Sequence, residues 1–277
     1  EEGYTLAKAL LNFYTSYQNF NDLQIQQNIS QFINRFLTKK YPELCEVTTP
    51  DLKIYNQKIR IGYISSHFQA HSATIGILGW VGNHDSERFE YFLYHLGKII
   101  DSSTQKFANA SEHFRHLCLE DSRNLDQWLK MMTKTIQDDH LDILVFTDVG
   151  MDIRSTLLSR LRLAPIQCIL WGHPVTTGSE AIDYFLTASL MEPDDAHLHY
   201  SERLVHLPNI SWSYPTVELP EEKKLRSDFD LPDDRILYFS CQSLFKYLPQ
   251  HDYIYATIAQ RVPNAYFMFL DIFEVRS

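Results

Sequence analysis

Hydrophobic residues recur with two different periods along this chain, and the change of period divides it. Between residues 4 and 37 they return every three or four positions, first over Tyr4–Tyr17 and then over Leu23–Leu37. This spacing is typical of amphipathic helices with one buried face. Residues 1–50 are therefore predicted to form a helical hairpin.

From residue 51 onward, short apolar runs alternate with helical stretches. The predicted strands are Ile59–Ser65, Phe89–Leu96, Ile143–Thr147, Ile166–Trp171 and Tyr184–Ala188, and the predicted helices are Ala73–Trp80, Leu125–Gln137 and Arg154–Leu163. Nearly continuous apolar strands separated by helices indicate a mostly parallel sheet that is covered on both faces. Residues 51–215 are therefore predicted to form one Rossmann-like, doubly wound α/β domain.

The last third of the chain repeats this pattern once, after a polar connection. Residues 216–234 contain two prolines and four successive charges, which predicts a linker. Beyond it we expect a strand at Arg235–Phe239, a helix at Pro249–Arg261 and a strand at Ala265–Ile272. One such unit cannot bury a parallel sheet on both faces. Residues 235–277 are therefore predicted to be the start of a second Rossmann-like domain, truncated here, in a chain that is part of a longer protein.

Composition excludes several classes of partner. The 277 residues carry a net charge of −10, so the overall field repels polyanions and nucleic acid is not an expected partner. The four cysteines are far apart and show no C-x-x-C spacing, which favours buried thiols in a reducing compartment. No basic leader is present, and no apolar run approaches the roughly 20 residues that span a bilayer. We expect a cytoplasmic protein without a membrane span.

Three polar segments each follow a predicted strand: Ser65–His71, Asp148–Asp152 and His173–Gly178. Because ligands bind at the carboxyl ends of strands in open α/β sheets, these segments are expected to converge on a binding site. For any one segment alone, an ordinary turn or helix cap is the more common interpretation, and the convergence of the three favours a site. Within the first segment, His71 could hydrogen-bond the start of a helix or act as a general base.

A fourth polar segment, Cys241–Lys246, follows the first strand of the second domain. A lysine at such a junction, next to a helix N-terminus, suits a diphosphate, although a solvated loop lysine is the alternative. The G-x-G-x-x-G and Walker patterns are absent, so a dehydrogenase or an ATPase has no support. Twelve histidines, including His197 and His199, provide no convincing set of metal ligands.

Five blocks in a fixed order resemble the protein O-linked N-acetylglucosamine transferases and the related bacterial adhesin N-glucosyltransferases. The resemblance runs from about residue 58 to the end, and the helical hairpin resembles the TPR-like repeat region that precedes the family's catalytic part. The blocks are Lys58–Phe68 with His71, Arg162–Gln167, Trp171–Gly178 with Asp183 and Tyr184, Tyr200–Asn209, and Ser243–Ala265.

The resemblance implies the GT-B fold, in which two Rossmann-like domains face a cleft. The implied reaction is inverting transfer of a hexose or N-acetylhexosamine from a UDP-sugar to a Ser/Thr hydroxyl or an Asn amide of an acceptor protein or peptide, without a cofactor or an essential metal. Lys246 matches the lysine beside the leaving diphosphate, and His71 matches a histidine that acts as a base or orients the acceptor. The remaining site residues are Gln242 and Ser243 on the donor side and Asp148, His173, Thr176 and Thr177 on the acceptor side of the cleft.

The chain also departs from the family pattern. Ile75 stands where the hydroxyl-modifying members carry a second histidine, Ser243 stands where a glutamine is expected with Gln242 beside it, and residues 148–151 differ from the usual N-G-Y-T. These differences favour the N-glucosyltransferase-like branch. Because the family's second domain continues beyond the position of Ser277, the fragment is expected to be inactive alone. Two alternatives remain: a non-catalytic helical-repeat interaction protein with a degenerate α/β domain, and a sugar-nucleotide epimerase.

Overall fold

The computed structural model describes residues 13–46, 58–119, 124–214, 216 and 219–270. The chain divides into two compact units. The first comprises residues up to Phe13 and residues 21–215, and the second comprises residues 14–20 and residues from 216 onward. The domain boundaries placed at residues 50, 215 and 234 from the sequence remain predictions.

The first unit is built on a parallel sheet of seven strands in the order β3-β2-β1-β4-β5-β6-β7. The strands are β1 Ile59–Ser65, β2 Phe89–His95, β3 His113–His116, β4 Ile143–Phe146, β5 Ile166–Leu170, β6 Tyr184–Ala188 and β7 Arg203–Leu207. The chain moves outward from β1 to β3 and then returns to place β4 on the other side of β1. Such a reversal is the topological switch point of a doubly wound sheet. The predicted α/β fold class is confirmed.

Both faces of this sheet are buried. Alternate residues of one strand point to opposite faces, and Tyr63 and Ile64 of β1 enter two separate hydrophobic clusters. The covering helices are α1 Leu23–Lys40, α2 Pro42–Cys45, α3 Ile77–Gly82, α4 Ser102–Asn109, α5 Leu125–Asp138 and α6 Ile153–Leu158. None of the helices in the described part of the chain is long and apolar enough to cross a membrane.

Helix α1 belongs to the first unit, where Ile33 and Leu37 pack into the larger hydrophobic cluster. It begins at Leu23, as predicted, and ends at Lys40, so the two lysines at its end lie at the negative pole of the helix dipole. The other helix of the predicted hairpin lies largely outside the described residues. The described part of that helix, Phe13–Tyr17, is a 3-10 helix.

Three elements of the first unit, β3, β7 and α4, were not predicted from the sequence. Strands β3 and β7 lie at the two edges of the sheet, and their sequences, H-F-R-H and R-L-V-H-L, carry charged and polar residues that a central strand rarely has. Helix α4 is largely polar and begins with a capping box, in which the Asp101 carboxylate accepts the Thr104 N–H at 2.9 Å and the Asp101 N–H donates to the Thr104 hydroxyl at 3.1 Å. Polar helices and edge strands lack the apolar period on which the prediction depended.

The described part of the second unit contains the predicted strand, helix and strand. They are β8 Ile236–Ser240, α7 Asp252–Arg261 and β9 Ala265–Phe269, and the two strands pair in parallel. The first turn of the predicted helix is a separate 3-10 turn, Pro249–His251. None of the described residues from 219 to 270 is fully buried.

The prediction of four buried thiols is wrong in part. All four cysteines are free, but only Cys168 is buried, and Cys241 is exposed at the end of β8. Cys45 and Cys118 are partly buried.

Candidate active site

The three polar segments of the first unit meet at the carboxyl edge of the sheet, around the switch point between β1 and β4. The backbone N–H of Ser66 donates to the Asp148 carboxylate at 2.7 Å. A Cβ atom at Gly172 would overlap the carbonyl oxygen of Thr147, and a Cβ at Gly150 would lie 2.6 Å from the His173 ring. The segments after β1, β4 and β5 are therefore in direct contact, as expected for one site.

Asp148 is completely buried at this point. Its Oδ2 accepts hydrogen bonds from the Ser66 N–H and, at 3.3 Å, from the Ser65 hydroxyl, whereas Oδ1 has no partner among the described residues. Burial, together with the nearby negative charge of Asp152, raises the pKa of Asp148 to about 7, although the Ser66 hydrogen bond opposes this shift. Asp148 can therefore bind a proton near neutral pH.

Asp152 is the fixed negative charge beside it. Arg154 donates to Asp152 through Nε at 2.9 Å and through Nη2 at 2.8 Å. Burial favours the neutral acid, but these Arg154 contacts outweigh burial and lower the pKa of Asp152. Asp152 also caps α6 by accepting the Arg154 N–H at 2.8 Å. Asp152 is thus held as a carboxylate, and Asp148 is the carboxyl that retains its proton more readily.

Two histidines, His67 and His71, lie in the loop between β1 and α3. The rings of His67 and His71 stack with their centres 4.2 Å apart and an interplanar angle of 13°. His67 Nε2 lies 3.9 Å from Asp148 Oδ2, which is too long for a hydrogen bond. Burial lowers the pKa of both rings, and the neighbouring His67 lowers that of His71 further. Both imidazoles are therefore neutral at neutral pH.

His173, on the segment after β5, is more deeply buried and only 2% exposed. Its ring stacks on Phe13 with the centres 5.2 Å apart, and neither ring nitrogen has a hydrogen-bond partner among the described residues. Burial lowers its pKa to about 4. Unpaired buried nitrogens cost free energy and are uncommon in folded proteins, so this histidine is unusual for a residue that only packs.

Thr176 and Thr177 are buried and bonded within the protein. The Thr176 hydroxyl donates to Glu202 at 2.6 Å, and the Thr177 N–H donates to the same carboxylate at 2.8 Å, as does the Thr177 hydroxyl. Arg160 donates to the Thr177 carbonyl oxygen at 2.9 Å. Glu202 and Arg160 thus fix the shape of this segment. Neither residue was predicted to belong to the site, although Glu202 lies within the block Tyr200–Asn209 that resembles the family. Contact of the threonines with an acceptor remains a prediction.

The donor-side residues predicted from the sequence lie in the second unit. Lys246 ends the 3-10 turn Leu244–Lys246, which follows β8 and precedes α7, so it occupies the predicted strand–helix junction. Its Nζ lies 5.3 Å from the ring centre of Tyr17 and 5.9 Å from that of Phe245. Ser243 is partly buried and Gln242 is exposed on the same loop. Their roles toward a sugar nucleotide remain predictions.

Residues 42–213 match the family described as Glycosyl transferase family 41. The chain belongs to this family. The matched range contains every site residue predicted in the first unit, and it ends before the loop of Lys246. Together with the relatives described next, this match confirms the resemblance to the protein O-linked N-acetylglucosamine transferases that the sequence shows.

Curated relatives agree with this assignment. The chain is 30% identical over 217 residues to the probable UDP-N-acetylglucosamine–peptide N-acetylglucosaminyltransferase SEC of Arabidopsis thaliana, a match that covers 76% of this chain and 21% of the relative. It is 28% identical over 248 residues to the rice protein of that description called SPINDLY, a match that covers 90% of this chain and 26% of the relative. This family 41 chain thus spans about a fifth to a quarter of the length of these relatives.

A solved structure shows the fold. A mutant of the Thermobaculum terrenum O-GlcNAc transferase superposes with a TM-score of 0.73 and 21% sequence identity, covering 95% of this chain and 48% of the other. The predicted GT-B-like architecture is confirmed by this match. Among the described residues of the family 41 chain, no group of three or more histidine, cysteine or acidic side chains is arranged to hold a metal ion.

Proposed function

We propose that the protein containing this chain is an inverting glycosyltransferase that moves a hexose or N-acetylhexosamine from a UDP-sugar to a Ser/Thr or Asn side chain of an acceptor protein. The observation that carries the proposal is the family 41 match over residues 42–213, the range that holds the polar edge at the switch point. The names of the relatives, UDP-N-acetylglucosamine–peptide N-acetylglucosaminyltransferases, support the class of donor and acceptor.

In this proposal the first unit serves the acceptor side. Its edge combines two neutral imidazoles, His71 and His173, with Asp148, a carboxyl that binds a proton near neutral pH. A set of groups whose protonation is displaced from ordinary values is typical of sites that handle protons and orient nucleophiles. The departures at Ile75 and at residues 148–151 favour an Asn amide over a hydroxyl as the acceptor.

The second unit serves the donor side. As the bond between the anomeric carbon and the diphosphate breaks, negative charge grows on the leaving oxygen, and a positioned cation there lowers the barrier by roughly 3 to 4 kcal/mol. Lys246 would supply this charge, with Gln242 and Ser243 as neighbouring contacts to the nucleotide. We expect neither a cofactor nor an essential metal for this chemistry.

The proposal also covers where the protein is located and whether this chain alone is active. The four free cysteines favour a reducing, cytoplasmic location. The chain spans only about a fifth of the relative in Arabidopsis thaliana, and the described second unit buries none of its residues fully. We therefore expect this chain alone to transfer no sugar.

A transfer assay on the full-length protein tests the proposal. The protein is incubated separately with UDP-N-acetylglucosamine and UDP-glucose, an acceptor protein extract and either EDTA or buffer, and the acceptors are analysed by mass spectrometry. We expect one sugar to be added to Ser, Thr or Asn, with EDTA making no difference. Conversion of the donor without a modified acceptor would favour an epimerase. Failure to bind UDP by calorimetry would favour an interaction protein.

A further inference from the structure

Two cavities lie along helix α1 within the first unit. One has a volume of about 460 Å³ and the other a volume of about 300 Å³. Asn34 and Glu180 line both cavities, so the two adjoin and form one trough, called here the α1 trough. Helix α1 contributes Gln27, Ser30, Gln31, Asn34, Leu37 and Thr38, and the opposite wall includes residues 160–162, 178–182 and 201.

Polar residues of α1 form a stripe along this trough. Gln27, Gln31, Asn34 and Thr38 follow one another at spacings of four, three and four residues, which places them on one side of the helix. Because a helix rises about 1.5 Å per residue, the stripe from Gln27 to Thr38 is roughly 17 Å long. An extended polypeptide of about five residues has the same length.

The opposite wall connects the trough to the candidate site. Gly178 has a φ of 64°, and a Cβ atom there would overlap the backbone of Gln26 in α1. The Ser201 N–H donates to the Thr176 hydroxyl at 3.1 Å. One end of the α1 trough therefore lies directly beside Thr176 and Thr177, the segment predicted for the acceptor side.

Three buried polar atoms in the walls of the trough have no hydrogen-bond partner among the described residues. They are the Ser30 hydroxyl oxygen, Asn34 Oδ1 and Arg160 Nε. Ser30 is only 1% exposed and Arg160 only 8%. The set comprises an acceptor on Asn34, a donor on Arg160 and a hydroxyl that can do both. Because buried polar groups in folded proteins are nearly always hydrogen-bonded, these atoms indicate a ligand that supplies both donors and acceptors.

The charges of the trough narrow the class of ligand. Glu180 is exposed and lines both cavities, whereas the guanidinium of Arg162 is paired with Asp183 at 2.6 Å. A carboxylate at the centre of the trough disfavours an anion such as a phosphate group. A polypeptide main chain is neutral and offers one donor and one acceptor per residue. The side-chain amides of Gln27 and Gln31 can pair with both.

We propose that the α1 trough binds an extended segment of the acceptor protein, at a distance along the acceptor chain from the residue that receives the sugar. Recognition is mainly through the main chain of this segment, and Glu180 favours a lysine or arginine side chain opposite it. This proposal rests on the proposed transferase function and adds to it a second contact with the acceptor. Such a contact raises affinity for the acceptor without touching the reacting atoms.

Peptide binding to the full-length protein tests the trough without requiring sugar transfer. The probes are acetylated, amidated pentapeptides Gly-Gly-X-Gly-Gly in which X is Lys, Ala or Glu, together with a Lys peptide whose glycines are N-methylated. None contains Ser, Thr or Asn, so none is a substrate. Dissociation constants are measured by saturation-transfer NMR. We expect the Lys peptide to bind about twofold to fivefold more tightly than the Ala peptide, the Glu peptide to bind more weakly, and the N-methylated peptide not to bind.

Two variants of the trough and one matched control locate the binding. Asn34→Ala should weaken the Lys peptide about threefold to tenfold, because it removes one or two hydrogen bonds. Glu180→Lys, at an exposed position, should reverse the preference between the Lys and Glu peptides. Asn28→Ala replaces an exposed asparagine of the same helix outside the trough and should bind like the wild type. Urea unfolding checks that the variants are folded. Equal affinities in the wild type and Asn34→Ala, or no binding to the wild type because another part of the protein fills the trough, would overturn the proposal.

Steady-state kinetics of the full-length protein test the link to transfer. Asn34→Ala should raise the KM for a protein acceptor about threefold to tenfold and leave kcat and the KM for the UDP-sugar unchanged. Weakened peptide binding with an unchanged acceptor KM would show that the trough does not serve the acceptor. If the wild-type protein transfers no sugar, the proposed function fails, and the peptide affinities alone decide whether the trough binds polypeptide.

Discussion

The two units present similar polar loops on differently packed supports. In the first unit, β4 ends at Phe146, which is 0% exposed. Asp148, whose pKa is raised, follows two residues later and is completely buried. In the second unit, β8 leads to Lys246 through Phe239, which is 50% exposed. In both units a functional side chain follows a strand. In the first unit this side chain, Asp148, is buried, whereas in the second unit Lys246 lies on a partly exposed turn.

This difference has a chemical consequence. Burial displaces the pKa values of Asp148 and His173, so the chemistry of the first unit depends on a well-packed core. Lys246 depends instead on its charge, held against the rings of Tyr17 and Phe245. A two-stranded sheet with one helix has too little apolar surface to form a core by itself, so the described part of the second unit needs additional covering to become stable.

The largest expected effect comes from truncating matched phenylalanines in β4 and β8. Phe146→Ala leaves a cavity in a closed core and should lower the free energy of unfolding by about 3 to 5 kcal/mol. Phe239→Ala removes a side chain that is already half in water and should cost less than about 1 kcal/mol. Urea unfolding followed by tryptophan fluorescence measures the first unit selectively, because the four tryptophans, Trp80, Trp128, Trp171 and Trp212, all belong to it.

Far-UV circular dichroism reports on both units and serves as the control for Phe239→Ala. The fluorescence transition of that variant should coincide with the wild-type transition. A circular dichroism transition shifted as far as that of Phe146→Ala would show that β8 is as tightly packed as β4 and would remove the contrast between the units.

The second prediction concerns Lys246 in the full-length protein. Lys246→Ala should lower kcat by about 100-fold to 1000-fold, because it removes the charge proposed to stabilise the leaving diphosphate. The free energy of unfolding should change little, since the side chain is partly exposed and its ammonium lies beside the rings of Tyr17 and Phe245. Steady-state kinetics with the UDP-sugar and urea unfolding measure the two quantities. An active Lys246→Ala enzyme would exclude the lysine from the mechanism.

The same contrast explains which parts of the fold could be predicted from the sequence. Strands β1, β2, β4, β5 and β6 are buried on both faces, so continuous apolar runs indicated them with small errors at their ends. Strands β3 and β7 lie at the edges of the sheet formed by the described residues and tolerate charged residues, so the apolar pattern failed there. The helix predicted at residue 73 begins instead at Ile77, because the Thr74 hydroxyl binds nearby carbonyl oxygens and stabilises turns.

The location of the site could be predicted from the sequence, but the protonation of its side chains could not. Strand-ending polar segments indicated the edge where Ser66 and Asp148 meet, since parallel strands end together. The raised pKa of Asp148 could not be predicted, because it depends on complete burial and on the distance to Asp152. Glu202 and Arg160 were not identified for a similar reason. Their partners, Thr176 and Thr177, lie 17 to 26 residues away along the chain, and no local pattern marks the contact.

The third prediction uses pH to measure how strongly burial acts on Asp148. Its folded pKa of about 7 lies above the unfolded value near 3.9, so the folded state binds more protons between these values and its stability falls as the pH rises from about 4 to about 7. Asp148→Asn cannot ionise and should therefore be more stable than the wild type at pH 8, by about 2 kcal/mol after its unpaired amide is allowed for. At pH 4 this advantage should disappear.

Urea unfolding of the wild type and Asp148→Asn at several pH values tests this, with Asp233→Asn as the control at an exposed carboxyl of the second unit. The control should show no such dependence on pH. If the difference in unfolding free energy between Asp148→Asn and the wild type were the same at pH 4 and at pH 8, burial would not raise the pKa of Asp148.

The smallest expected effect distinguishes packing from ligand contact within the first unit. The Thr177 hydroxyl hydrogen-bonds the buried Glu202 and accepts the Ser179 N–H at 3.0 Å. Thr177→Val removes both contacts and should cost about 1 to 2 kcal/mol of unfolding free energy, whereas Thr177→Ser keeps the hydroxyl and should stay within about 0.5 kcal/mol of the wild type. If Thr177 also contacts the acceptor directly, Thr177→Val should raise the acceptor KM in addition to lowering stability. A loss of stability with an unchanged KM would mean that Thr177 only stabilises the buried structure around the site. That result would agree with the comparison of the two units, in which the site residues of the first unit depend on burial.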